Sequence, residues 1–268
     1  MTAGAESPLL AAVERSPEAA AAHDRAGWVG LFAADGCIED PVGSRPHIGP
    51  AEIGRFYDTF IGPRDIAFHR DLDVVRGSAV VRDVDLQVTM GSAGLAATMV
   101  IPAFLRYDLR EVNGEWKIAT LRAYWELPAM MLQFLRNGTS AVPATIQLSQ
   151  GLIRNQRLRG TVGFAAAFRR VGSRHKKVVE SFVNAIASAD TPAALRTLSS
   201  VATVTFGDDE AADLADLVAR LPSASAPKLI AAGSTVAASI TSAHGRGVMF
   251  TDFARRGNEI HRIRYFPD

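Results

Sequence analysis

The chain has 268 residues, enough for one large domain or two ordinary ones, and its 48% hydrophobic and 21% charged residues suit a globular protein. A formal net charge of +1 gives no electrostatic case for nucleic acid as a partner, and the single cysteine, Cys37, excludes an internal disulfide. Met1 to Glu6 lacks the basic start and apolar run of a signal peptide, and no stretch reaches the ~18 apolar residues of a membrane-spanning helix, so a cytoplasmic location without a membrane span is expected.

Ser7-Pro8 and Ser16-Pro17-Glu18 each read as a cap followed by a proline in the first helical turn, predicting two short helices or one interrupted helix over residues 8–34. That helical run is expected to end at Asp35-Gly36. A short strand follows and leads to Asp40, where Pro41 removes a backbone donor and holds the preceding residue extended. A carboxylate held there can point across the concave face of a sheet as a general base, although Asp before Pro at a strand end is also ordinary turn chemistry. Residues 51–60 predict a helix with Ile53, Phe56, Tyr57 and Phe60 at apolar spacing. Four alternating segments then predict strands: Ile66 to Val75, Ser78 to Met90, Ala96 to Glu111 and Glu115 to Leu127. Asn113-Gly114 reads as a two-residue hairpin turn between the last two. Helices followed by a curved antiparallel sheet make an α+β cone.

Residues 128–172 break the pattern. Met130 to Leu135 is apolar, and Gly151 to Arg170 mixes apolar residues with five arginines. A helical linker is expected over 131–172, either a connector with its arginines in solvent or an amphipathic lid or membrane-surface helix. Its glycines argue against one continuous helix. The order of elements then repeats. Lys176 to Ala189 predicts a helix with Val179, Phe182, Val183 and Ile186 on one face, and Thr191-Pro192 caps another through Leu198. Val201 to Gly207 predicts a strand, Asp209 to Leu221 a helix, and Thr235 to Ser242, Gly247 to Ala254 and Glu259 to Phe266 three more strands. In this second half, Thr205-Phe206 falls where Asp40 stands in the first.

The run Glu39-Asp40-Pro41-Val42-Gly43-Ser44-Arg45-Pro46-His47-Ile48-Gly49, the helix Ala51 to Tyr57 behind it, and the later Leu121-Arg122-Ala123-Tyr124-Trp125 together resemble the ketosteroid isomerase and SnoaL-like branch of the NTF2-like superfamily. The match covers residues 9 to 127. The resemblance implies two NTF2-like cones in tandem, with helices packed on curved antiparallel sheets: a first domain over 1–130, the linker over 131–172, and a divergent second domain over 173–268 without the acid. NTF2-like proteins are commonly homodimers, so a monomer with an internal pseudo-dimer, or a homodimer, is expected.

The resemblance also implies a chemistry. Ketosteroid isomerases shift a proton between two carbons through a dienolate, using an Asp base, a Tyr donor and a neutral acid for the oxyanion. Asp40 matches the base. The expected tyrosine falls on Ser16, which reads as a cap before Pro17 and is too short to replace a phenol. Tyr57 matches a supporting tyrosine and is read either as the donor or as a core residue of its helix. Asp108 matches the neutral acid. With Asn113-Gly114 as the turn, Val112 would pair with Glu115, Arg110 with Lys117, Asp108 with Ala119 and Arg106 with Leu121, on one face with Phe104, Ala123 and Trp125. Arg110 and Lys117 beside Asp108 suggest a solvated edge instead. Phe32, Phe56, Phe104, Leu121 and Trp125 complete the expected substrate wall, with Phe32 on the preceding helix.

No histidine or cysteine spacing suits a metal, and no nucleophile arrangement or phosphate loop is visible, so no cofactor is expected. The expected function is a steroid Δ-isomerase-like proton transfer on a 3-ketosteroid or similar polycyclic ketone, a small hydrophobic substrate. The alternatives are a SnoaL-like polyketide cyclase and, from another class, a non-catalytic steroid- or lipid-binding protein. Ser16 favours the last; the intact run from Glu39 to Ser44 favours an enzyme.

Overall fold

The computed structural model describes residues 7–90, 97–126, 171–254 and 257–268. The linker expected over 131–172 lies outside the described residues except for Val171 and Gly172. The chain divides into two compact units, and it contains two six-stranded sheets of matching strand order.

The first unit opens with α1 (Pro8–Ala21) and α2 (Arg25–Gly30), followed by β1 (Phe32–Glu39), β2 (His47–Ile48), α3 (Gly49–Phe56) and a π-helical turn (Tyr57–Ile61). Then come β3 (Asp65–Arg76), which belongs to this unit as far as Asp71, β4 (Ala79–Met90), β5 (Ala97–Val112) and β6 (Glu115–Tyr124). The strand order is β2-β1-β6-β5-β4-β3, with β1 parallel to β6 and the β4, β5 and β6 neighbours antiparallel. This parallel pairing brings the chain leaving β1 alongside the chain leaving β6.

Local expectations change in three places. First, α1 runs on through Pro17 with Ser16 inside it. Its buried Leu9, Ala12, Val13, Ser16 and Ala20 make one continuous stripe, and that packing outweighs the ~3 kcal/mol penalty of an interior proline. Second, the helical run stops at Gly30, so Phe32 lies on a strand and not on a helix. Asp24 ends the loop before α2 by accepting from Gly27 N at 2.8 Å. Third, the 51–60 helix loosens into a π turn closed by Gly62 N to Tyr57 O at 2.9 Å.

The hairpin register also differs. Val112 pairs with Glu115 and Arg110 with Lys117 as expected, but a bulge at Asp108/Leu109 then puts Leu109 opposite Ile118 and Asp108 opposite Thr120. One extra residue in β6 moves every later position to the other face. Arg106 therefore faces Arg122, and Phe104 faces Tyr124. Leu105, Tyr107, Leu109, Ile118, Leu121 and Ala123 share the opposite face. Arg82 of β4, paired with Leu105, belongs to that same face. It is fully buried and donates to Glu14 of α1 at 2.8 Å, which identifies this as the side on which α1 packs.

The second unit holds α4 (Ser173–Ala187), α5 (Thr191–Leu195), β7 (Leu198–Phe206), β8 (Glu210–Ala212), α6 (Leu214–Arg220), β9 (Ser225–Ala232), β10 (Thr235–Ser242), β11 (Gly245–Phe253) and β12 (Ile260–Pro267). Its order, β8-β7-β12-β11-β10-β9, repeats that of the first sheet, again with one parallel pair, β7 with β12. The expected 209–221 helix is a short strand and a shorter helix, divided at Asp213. That residue caps α6 by accepting from Asp216 N at 2.9 Å. The helix-side core is continuous: Val179, Phe182, Val183 and Ile186 of α4 join one apolar cluster with Val236, Ala238, Ile240, Met249 and Ile263.

Candidate active site

Asp40 follows the last residue of β1, and Trp125 follows the last residue of β6. Because those strands run parallel, with Ile38 beside Leu121 and Glu39 beside Arg122, both residues leave the sheet together and on its helix side. The indole Nε1 of Trp125 donates to Oδ1 of Asp40 at 2.5 Å. Asp40 as a residue is half-buried; its carboxyl is the enclosed part. Burial pushes that carboxyl up to about 6, and the indole hydrogen bond opposes the rise by favouring the charged form. The result is a carboxylate poised to exchange a proton near neutrality.

The turn after Asp40 is tightly specified. Val42 N donates to Ala123 O at 2.8 Å and Ser44 N to Pro41 O at 2.9 Å. Gly43 N donates to Glu39 Oε1 at 2.7 Å, with Gly43 at φ 95°, a conformation that suits glycine. The Asp40-Pro41 peptide is cis.

Aromatic rings gather about Trp28, a buried residue of α2 that the sequence reading passed over. Its ring lies 5.1 Å from Phe32, 6.2 Å from Phe56 in stacked orientation and 5.5 Å from Tyr57. Phe56 also meets Phe60 at 5.0 Å and His47 at 5.2 Å. Burial pushes the His47 imidazole down, which favours its neutral form. Trp28 Nε1 donates to Ser16 Oγ at 3.2 Å, so the serine that stands where a tyrosine is expected is already engaged inside the core.

The expected donors separate. The Tyr57 ring is buried, and its hydroxyl is enclosed with no hydrogen-bond partner among the described residues. Burial pushes the phenol up; Asp24 and Asp58 add to that and Arg25 opposes it, so the group is a neutral donor. Asp58 and Arg25 form a forked pair at 2.6 and 2.9 Å that ties the π turn to α2. Asp108 lies on the other face of the sheet. It accepts from Arg106 Nε at 2.9 Å and Nη2 at 2.7 Å, and from Arg122 Nη1. A carboxylate accepts hydrogen bonds and has none to give, so this arrangement makes Asp108 an ion-pair partner and not an oxyanion donor. The physical reason is the bulge, which turns Asp108 away from Leu121 and Trp125. Phe104 is turned away with it and sits opposite Tyr124. Leu121 remains on the Asp40 side. Among the described residues there is no group of three or more His, Cys, Asp or Glu that could hold a metal, and no helix is long and apolar enough to cross a membrane.

Residues 9–131 match the nuclear transport factor 2 (NTF2) domain family. The first unit carries an NTF2 domain. Solved structures similar to it include a Mycobacterium tuberculosis protein in complex with estradiol-17β-hemisuccinate, at 26% identity over 46% of this chain and 97% of that one, with a TM-score of 0.41. Another is the Δ5-3-ketosteroid isomerase of a Mycobacterium species, at 28% identity over 46% and 95%, with a TM-score of 0.40. A SnoaL-like polyketide cyclase candidate from Shewanella putrefaciens is 17% identical over 48% and 96%, with a TM-score of 0.42. The NTF2 domain is mixed α+β, and the second sheet repeats its strand order.

Proposed function

We propose that the NTF2 domain binds a flat polycyclic ketone, such as a 3-ketosteroid, on the helix side of its sheet and moves a proton between two of its carbons. Asp40 takes the proton from the carbon next to the carbonyl, leaving an enolate conjugated to the ring alkene. The same carboxyl, now protonated, returns the proton to the far end of that conjugated system. No net atom is gained or lost, and no co-reactant is needed. Trp125 keeps Asp40 oriented through both steps, and Tyr57 is the donor to the developing oxyanion. The aromatic residues Trp28, Phe32 and Phe56, with Leu121, supply an apolar wall for rings.

The observation that carries this reading is the enclosed Asp40 carboxyl, touched by the neutral Trp125 indole and raised to about 6. A general base works best when its pKa lies near the working pH. A non-catalytic binding protein is the second reading, favoured by one observation: Ser16 spends its hydroxyl on Trp28. Tyr57 is then left to stabilise the oxyanion unaided. Incubation with 5-androstene-3,17-dione, followed by the absorbance of the conjugated product, separates the two. Turnover above the buffer rate supports the isomerase; saturable binding of steroids without turnover supports the binder.

A further inference from the structure

We infer that Glu39 is the positioning residue of Asp40, acting by reach through the Gly43 amide. This rests on the reading of Asp40 as the working acid. Glu39 ends β1 with its side chain on the outer face of the sheet, beside its register partner Arg122. One oxygen, Oε1, holds Gly43 N at 2.7 Å; the other, Oε2, lies 3.9 Å from Arg122 Nε. Arg122 in turn donates to Asp108. A chain of charge therefore runs across the outer face and ends on the turn from which Asp40 crosses to the inner face. Without that anchor, the backbone bonds that remain on the turn among the described residues are those of Val42 and Ser44.

The second unit supplies a natural comparison. Its register places Arg264 where Arg122 stands and Asp252 where Asp108 stands, and the two are again bonded, at 3.1 Å. The ion pair is thus common to both sheets. At the Glu39 place the second unit has Thr205, and at the Asp40 place Phe206. Thr205 Oγ1 bonds to Gly207 O at 2.8 Å, too short a side chain to reach further along the turn. The arginine and aspartate persist where the acid is lost, whereas the glutamate disappears with the acid. Glu39 therefore belongs with Asp40 and not with the sheet.

Three variants of the full chain separate reach from charge. Glu39→Gln keeps an acceptor at the same distance without charge, Glu39→Asp keeps charge but falls short, and Glu39→Thr copies the second unit. The readouts are the Asp40 titration midpoint by carboxyl NMR and, with 5-androstene-3,17-dione, kcat and KM. Glu39→Asp and Glu39→Thr should lower the midpoint from about 6 toward ordinary carboxylate values by about a unit or more, because a loosened turn admits water to Asp40. They should also lower kcat by about tenfold to a hundredfold with KM nearly unchanged. Glu39→Gln should restore the midpoint and most of kcat. Equal midpoints in wild type, Glu39→Asp and Glu39→Thr would overturn the inference, as would a Glu39→Gln protein that behaves like Glu39→Asp. The NMR arm decides even if the wild type turns over no ketosteroid, an outcome that would overturn the proposed reaction alone. Thermal melts identify a variant that fails to fold, and the remaining two still decide the outcome.

Discussion

Asp40 in the first sheet and Phe206 in the second occupy the same place. Ile38 and Glu39 lie level with Leu121 and Arg122, and Val204 and Thr205 lie level with Ile263 and Arg264. One residue on, Phe206 pairs with Tyr265, while in the first sheet the pairing ends at Glu39 and Asp40 is the next residue. Beyond this point the two chains differ by one residue: Gly207, directly after Phe206, donates to Tyr265 O, whereas Pro41 has no N–H and it is Val42 that donates to Ala123 O, each at 2.8 Å. Two residues beyond Tyr265 stands Pro267, where the first unit has Trp125. The acid and its indole donor are both replaced, by a phenyl ring and a proline. Phe206 packs against Tyr265 at 6.3 Å, so the second sheet has a packed contact where the first has a proton carrier.

That difference makes Asp40 a stability liability with a definite sign. Its folded pKa of about 6 lies above the ordinary ~3.9, so the folded state binds a proton more tightly than the unfolded chain. Stability contributed by this group is full below about pH 4 and falls as pH rises through about 6. The shift corresponds to a cost on the order of 3 kcal/mol at neutral pH. Asp40→Asn should therefore melt higher than wild type at pH 7.5, with the gap closing by about pH 4. A variant that melts lower at pH 7.5 would mean that the folded state stabilises the carboxylate instead.

The indole of Trp125 opposes that rise, so removing it should push Asp40 higher still. In Trp125→Phe the midpoint of the Asp40 titration, and of the pH–rate profile, should move up by about one unit. That shift is the scale of one hydrogen bond to a charged group, roughly 1.5–3 kcal/mol, less some replacement by water. A midpoint that stays put or falls would show that the 2.5 Å contact does not bear on the proton.

Tyr57→Phe should uncouple stability from turnover. The hydroxyl is buried without a partner among the described residues, so its removal relieves an unmet desolvation cost, and the variant should melt at or above the wild-type temperature. If that hydroxyl serves the oxyanion, kcat should fall by about 10²–10³. A clear drop in melting temperature with unchanged kcat would make Tyr57 a core residue and nothing more.

Asp108→Asn and Asp252→Asn should behave alike. Each weakens the same cross-strand pair with an arginine, Arg122 in one sheet and Arg264 in the other. Each should cost about 1–3 kcal/mol in urea unfolding, the scale for hydrogen bonds to charged groups, and leave the Asp40 midpoint where it was. Loss of turnover in Asp108→Asn with full stability would return Asp108 to the reaction.

Much of this architecture can be read from residues. The prolines, the Asn113-Gly114 turn and the alternation of the long strands locate most elements, and the run from Glu39 to Tyr57 marks the acid. Three things have no local signature. The bulge at Asp108/Leu109 depends on how β6 fits between β1 and β5, and it reverses the faces of Asp108 and Phe104. The parallel pairing of β1 with β6 is non-local, so Trp125 reads as a wall residue and not as the donor to Asp40. Trp28 lies in a helix of six residues, too short for a periodic signal, yet three aromatic rings meet there. A search for indole or amide donors near each strand end would have raised Trp125 as a partner.

The central claim is that Asp40 moves the proton, and one comparison bears on it most directly: kcat for isomerisation of 5-androstene-3,17-dione by wild type and Asp40→Asn at pH 7.5, with steroid affinity measured on both. The account predicts a loss of about 10²–10⁴ in kcat, the range for a positioned general base, with affinity equal or tighter. A variant within about threefold of wild type, far below that range, would contradict it.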